Sequence, residues 1–248
     1  MTKQALHIML VVVLIATAAS FSQATAAAPQ GQKTWIIDED ENIVLVSPHA
    51  VHVHHKKNDF EIVCKAPEWR AYVFRHDKKL LYKRDLDKFT GPFLLGPLSN
   101  KIAIRTPAAF SKNTKFHGYD CAKYTTPSAD IYASNEIQAD PKAIEFLNRY
   151  WYIPVVPKVA LYNTKVTSNA NYKDSAWFNK KRYDGFLERA PLYTRKLSSK
   201  PFDSRDFAIP TDYKAASDCK DVCYGEANRK EIESMLNDVG FSDRQDSK

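Results

Sequence analysis

The chain has 248 residues, 44% of them hydrophobic and 26% charged, with a formal net charge of +7. That is enough apolar sequence for one stable core, so cysteine cross-links would assist the fold without creating it. No uninterrupted apolar stretch reaches the roughly 20 residues of a membrane-spanning helix, and 7 glycines leave little material for a phosphate-cradling loop.

The chain begins MTKQALHIMLVVVLIATAASFSQATAAAPQ. Lys3, an apolar run over 8–18 and small residues ending in Ala24-Thr25-Ala26 have the order of a secretory signal peptide. We therefore expect residues 1–26 to be removed, leaving an exported protein of a periplasm or the medium that does not span a membrane. The absence of any N-x-[ST] sequon favours a bacterial source. The positive charge reads equally as ordinary solubility or as a preference for anionic surfaces such as lipid head groups or acidic polymers, and no nucleic-acid partner is expected outside the cell.

From Trp35 to Arg84 the short runs WII, NIVLV, AVHVH, DFEIVCK, RAYVF and KLLYKR alternate with DEDEN, SPH, KKND, APEW and RHDKK. This spacing predicts an antiparallel meander. Within it, PHAVHVHHKK holds four of the seven histidines: His49, His52, His54 and His55. Val51 and Val53 alternate with His52 and His54, which puts the valines on a core face and this imidazole pair on the other. Two imidazoles on one strand face can begin a metal site, but no third ligand is evident in the pattern. A solvated strand face is the preferred account, and a metal site at His52 and His54 the alternative.

DLDKFTGPFLLGPLSN predicts a short helical turn and a loop, KIAIRTP a strand, and TKFHGYDCAKYTTPSADIYAS two strands joined at TTPS. DPKAIEFLNRYWYIP predicts a helix over 140–150, with Asp140 as cap and Pro141 in the first turn. VPKVALYNTKV and ERAPLYTRKLSSKPF are strand candidates, 168–181 an exposed loop, and DFAIPTDYK an extended segment. ANRKEIESMLNDVG predicts a C-terminal helix followed by a polar tail. The expected organisation is a signal segment 1–26, a sheet domain 27–216 with helix 140–150, and a helical segment 217–248.

Cys64, Cys121, Cys219 and Cys223 form an even set that allows three pairings in an oxidising compartment. Cys64 with Cys121, and Cys219 with Cys223 across a loop-like KDV, is the favoured pairing. A regular helix at 219–223 would strain the second bond. The motifs G-x-S-x-G, H-E-x-x-H, G-x-G-x-x-G, the P-loop and the EF-hand loop are absent, so no enzyme and no cofactor is expected.

Aromatic residues make up 12% of the chain, and Trp69, Tyr72 and Phe74 fall on one predicted strand and Phe116, Tyr119 and Tyr124 on another. Because Ala71 and Val73 alternate with Tyr72 and Phe74, both faces of RAYVF are apolar and the sheet there should be covered on both sides. The five aromatics are either core or the lining of a ligand cavity.

The meander containing KAPEW, then FHGYDCAKY with DIYAS, the helix ending in YWYIP, and APLYTRKL and DFAIPTDYK together resemble the periplasmic lipoprotein-carrier superfamily of LolA and LolB type, over residues 35–215. That resemblance implies an α+β fold, predominantly antiparallel β, in which a curved half-barrel sheet is covered by helices and an apolar cavity takes acyl chains. No individual residue of carrier function can be matched. The expected function is binding of a lipid or other amphiphile, with Trp69, Tyr72, Phe74, Phe116 and Tyr124 lining the cavity and Lys or Arg at the rim able to meet an anionic head group. The alternatives are metal binding at His52 and His54, and an envelope scaffold that binds a protein partner through a sheet edge or the 168–181 loop.

Overall fold

The structure is a computed structural model that describes residues 32–89, 91, 107–127, 129–164 and 192–224. The expected signal segment 1–26, the loop expected at 168–181, the helix expected in ANRKEIESMLNDVG and KIAIRTP other than Pro107 lie outside these residues.

The predicted meander forms as six strands: β1 (Lys33–Glu39), β2 (Asn42–Ser47), β3 (Ala50–His55), β4 (Phe60–Lys65), β5 (Arg70–Arg75) and β6 (Leu80–Asp85). The links from β3 to β6 share one device. Each is a four-residue turn whose last residue, Asp59, Trp69 or Lys79, takes a left-handed φ of 51°, 49° or 48°. An equal loop length fixes each register in turn, so the alternation of every strand stays in phase with its neighbours. Trp69 is therefore a turn residue and not, as its sequence context suggested, part of the β5 strand.

A second antiparallel series follows: β7 (Ala109–Phe116), β8 (Tyr119–Thr125), β9 (Asp130–Ser134), β10 (Ala160–Asn163) and β11 (Leu192–Pro201). The sequence patterning missed β7, because AFSKNTKF has no apolar alternation and is almost wholly exposed. His117 and Gly118 link it to β8, both at positive φ (48° and 85°), which matches the twist of a two-residue hairpin. β1 pairs with β11, and so the two series become one twelve-stranded sheet in the order β12-β6-β5-β4-β3-β2-β1-β11-β10-β9-β8-β7. The two-residue β12 (Lys214–Ala215) adds in parallel to β6. The ends β12 and β7 do not pair with each other, so the sheet is open. It is also curved. Phe116 on β7 stacks on Tyr162 on β10 with centroids 4.9 Å apart, whereas three strand spacings on a flat sheet amount to about 14 Å.

The helix α1 (Pro141–Tyr150) starts where expected, with Asp140 Oδ1 accepting from the Lys142 backbone N–H at 2.8 Å and proline in the first turn. It contacts β3 and β4, and its Ala143, Ile144, Phe146, Leu147 and Tyr150 join the main core. From the sheet that core receives Ile37, Val44, Val53, Ile62, Val73 and their neighbours on one face of β1–β5, with Tyr124, Ile131 and Leu161 from the second series. A smaller cluster occupies the opposite face of the meander: Ala50, Val63, Phe74 and Phe207, with Phe202, Ile209 and Tyr213 partly buried against them. The second cover anticipated for RAYVF is thus the chain's own 202–213 segment, which includes a 3₁₀ turn over Ser204–Phe207.

The expected disulfides are not formed, and all four cysteines are free. Cys64 on β4 and Cys121 on β8 are separated by six strands in the sheet order. Cys219 and Cys223 stand on a short helix, α2 (Cys219–Cys223), where a loop was expected; their sulfurs are 3.2 Å apart, a contact and not a bond. Burial pushes the Cys64 thiol up to about 12 and the Cys121 thiol up to about 11, which keeps both protonated.

Phe207 is 2% exposed and seals the second face. Phe207→Ala should lower the unfolding free energy by about 3 kcal/mol, measured by urea titration. A loss below about 1 kcal/mol, the range of a surface substitution, would show that the 202–213 segment is not part of the cooperative fold.

Candidate functional site

The five aromatics proposed as a cavity lining fall in different places. Phe74 is 1% exposed in the second-face cluster, edge-on to His76 (5.4 Å) and Tyr213 (6.4 Å). Tyr72, on the same face, is half-buried, and its hydroxyl donates to Glu68 at 2.6 Å. Tyr124 is buried in the main core and Trp69 packs against it. Phe116 belongs to an aromatic group with Tyr132, Tyr162 and Tyr193, in which the Tyr193 hydroxyl meets His117 Nε2 at 3.0 Å. A small cavity of about 180 Å³ lies under the 202–207 segment, lined in part by Ser47, His49, Lys65 and Phe207. It is smaller than the roughly 300 Å³ at which drug-sized ligand pockets begin.

Two polar groupings stand out from this apolar frame. The first is inside the main core, where β1 meets β11. Glu39, 4% exposed, lies opposite Thr194 at a register shift after Asp38. One carboxyl oxygen, Oε2, accepts from Asn42 Nδ2 at 2.7 Å, and the Tyr150 hydroxyl donates to Asn42 Oδ1 at 2.6 Å. Thr194 Oγ1 and both amide atoms of Asn163 are buried without a partner. Asn163 lies opposite Leu192, two residues before Thr194 on β11. Unpaired buried polar atoms are rare in a core, and each needs a physical reason. Burial pushes the Glu39 carboxyl up to about 8, against the opposing pull of hydrogen bonds from Asn42 and Trp151 and of the Lys56 charge. At neutral pH Glu39 is therefore a neutral acid, able to donate as well as accept.

The second grouping is on the opposite face of the meander. The equal turns set His54 opposite Glu61, and Glu61 opposite Phe74. Glu61 Oε2 lies 3.0 Å from His52 Nε2, and Glu61 Oε1 lies 3.1 Å from His76 Nε2 and 3.8 Å from His54 Nδ1. His76 Nδ1 is 2.5 Å from the Tyr213 hydroxyl. Burial by itself would raise the Glu61 carboxyl; hydrogen bonding and charge from His52, then His76, outweigh it and hold it below the ordinary carboxylate value. The alternation in AVHVH placed His52 and His54 correctly, but it gave no sign of Glu61 and His76. As the side chains stand, no group of three or more His, Cys, Asp or Glu among the described residues closes around a metal ion.

Comparisons with protein-family models, curated proteins and solved structures find no match. Among the described residues, no helix is long and apolar enough to cross a membrane.

Glu39 yields a signed prediction. The native state keeps this proton up to about 8, while the unfolded chain releases it near 4.5, so between these values the native state binds more protons and its stability falls as pH rises. Urea titrations at several pH values should show the wild type losing stability relative to Glu39→Gln across this window, with a slope approaching about 1.4 kcal/mol per pH unit. Parallel pH profiles for the two proteins would mean that Glu39 ionises freely in the fold.

Proposed function

We propose that the protein is an exported, non-enzymatic binder of a lipid or other amphiphile, held between the curved sheet and the helices that cover it. The observation that carries this is the unpaired Thr194 hydroxyl and Asn163 amide, with the proton-bearing Glu39 carboxyl opposite Thr194, inside an otherwise apolar core. Ligand sites combine mostly apolar walls with a few convergent polar groups that fix orientation. Here a neutral carboxyl, a hydroxyl and an amide suit an uncharged hydrogen-bonding group such as an ester, amide or alcohol. Apolar chains buried beside them would contribute about 25 cal/mol per Å² removed from water. The open antiparallel sheet agrees with the half-barrel implied by the lipoprotein-carrier resemblance, and the leader-like first 26 residues agree with export to a bacterial periplasm or the medium.

A second reading, partner binding by strand addition, is favoured by β7. It is an almost fully exposed strand at the end of the sheet order, and β8 is its one strand partner among the described residues.

Native mass spectrometry of the mature chain, exported by a bacterial host and purified without detergent, tests the first reading. The expected spectrum carries a heterogeneous excess of lipid-like mass that disappears when the same sample is denatured. The bare polypeptide mass in the native spectrum would overturn it.

A further inference from the structure

The cavity beneath the 202–207 segment lies on the second face of the meander, and a role for it is independent of amphiphile binding in the main core. We propose that it is a binding site for a small organic carboxylate, a monoanion whose apolar body is about the size of one six-membered ring. Size and lining set this class. The volume is about 180 Å³, and an engineered apolar cavity of about 150 Å³ takes up benzene. Ala50, Phe202 and Phe207 give it apolar walls, Gln32, His49, Lys65 and Ser204 bring polar side chains to it, and no acidic residue lines it. Backbone hydrogen bonds hold its two sides: the Ala66 N–H donates to the His49 carbonyl at 2.9 Å, and the Phe202 N–H to the Gln32 carbonyl at 3.1 Å.

Charge decides in favour of an anion. Lys65 is half-buried at the end of β4, and among the described residues its ammonium meets the Phe207 carbonyl at 2.9 Å and no carboxylate. An ammonium carries three donors, so two stay open to a ligand. A charge drawn partly out of water is costly unless it is paired. Both acids of the 202–207 segment are engaged elsewhere, Asp203 with Arg205 at 2.7 Å and Asp206 with Lys200 at 2.7 Å. Across the strand pair Lys65 faces a second cation, Arg70, which Asp85 matches at 2.7 Å. A bound carboxylate therefore supplies the counter-charge that Lys65 lacks. The Ser204 hydroxyl and the Gln32 amide are its further donors, and its apolar body lies against Phe202 and Phe207.

Amide NMR titration of the isotope-labelled mature chain with benzoate provides the test, with benzyl alcohol as an uncharged probe that carries the same ring. Benzoate should saturate in the millimolar range or below, as suits so small a ligand, and shift the backbone amides of Lys65, Ser204 and Phe207. It should bind at least about tenfold more tightly than benzyl alcohol, because its hydrogen bonds to Lys65 are charge-assisted. Lys65→Gln removes the charge and should bring benzoate down to the affinity of benzyl alcohol. The comparison of the two probes on the wild type needs no variant, so it decides the matter whether or not Lys65→Gln folds. No saturable benzoate shift at these amides, equal affinity of the wild type for the two probes, or undiminished benzoate binding by a folded Lys65→Gln would overturn the proposal.

Discussion

The pairing of β1 with β11 is the constraint on which the rest of the sheet depends. Seven residue pairs, from Lys33 with Pro201 to Glu39 with Thr194, join two strand series that are otherwise local hairpin chains. Without this seam, β1 and β11 would each present an open edge, and the core shared by Ile37, Tyr124, Ile131 and Leu161 would be divided. The register shift after Asp38 lies within the seam and brings Glu39 opposite Thr194. A buried carboxyl that keeps its proton is therefore set at the longest-range strand pairing in sequence among the described residues.

The meander is a sheet with two different partners. One face of β3 and β4 meets α1 and the main core, while the other meets Phe207 and its neighbours. Polar groups on each face experience different surroundings. Glu39, deep in the main core, keeps its proton because desolvation dominates, whereas the partly exposed Glu61 stays ionised because imidazoles surround it. The same residue type thus serves as a neutral donor in one place and an anion in another.

Much of this fold was legible in the sequence, because strand alternation and turn residues are local signals. Val51 and Val53 against His52 and His54, the Asp140-Pro141 helix start, and the six meander strands all follow from neighbours a few residues apart. β7 was not legible, since an exposed end strand such as AFSKNTKF has no buried face to impose alternation. The disulfide expectation failed for a similar reason: cysteine count carries no information on which strands lie side by side. Glu61 could have been found by pairing HAVHVHH with DFEIVCK across the four-residue KKND turn, which sets it beside His54; His76 then follows one hairpin later. The Glu39 environment could not, because it is made by residues some 150 positions apart, whose proximity exists only once β1 has found β11.

That distance also has a kinetic meaning. The meander can form its hairpins as soon as it emerges, but one face of it stays bare until residues 202–213 arrive, and β1 lacks its outer neighbour until β11 does. Contacts so distant in sequence are slow to form. The nascent chain accordingly presents Val63, Phe74 and a free β1 edge to its surroundings for most of its synthesis, a window in which a holdase has a surface to grip and an unaccompanied chain has one through which to aggregate.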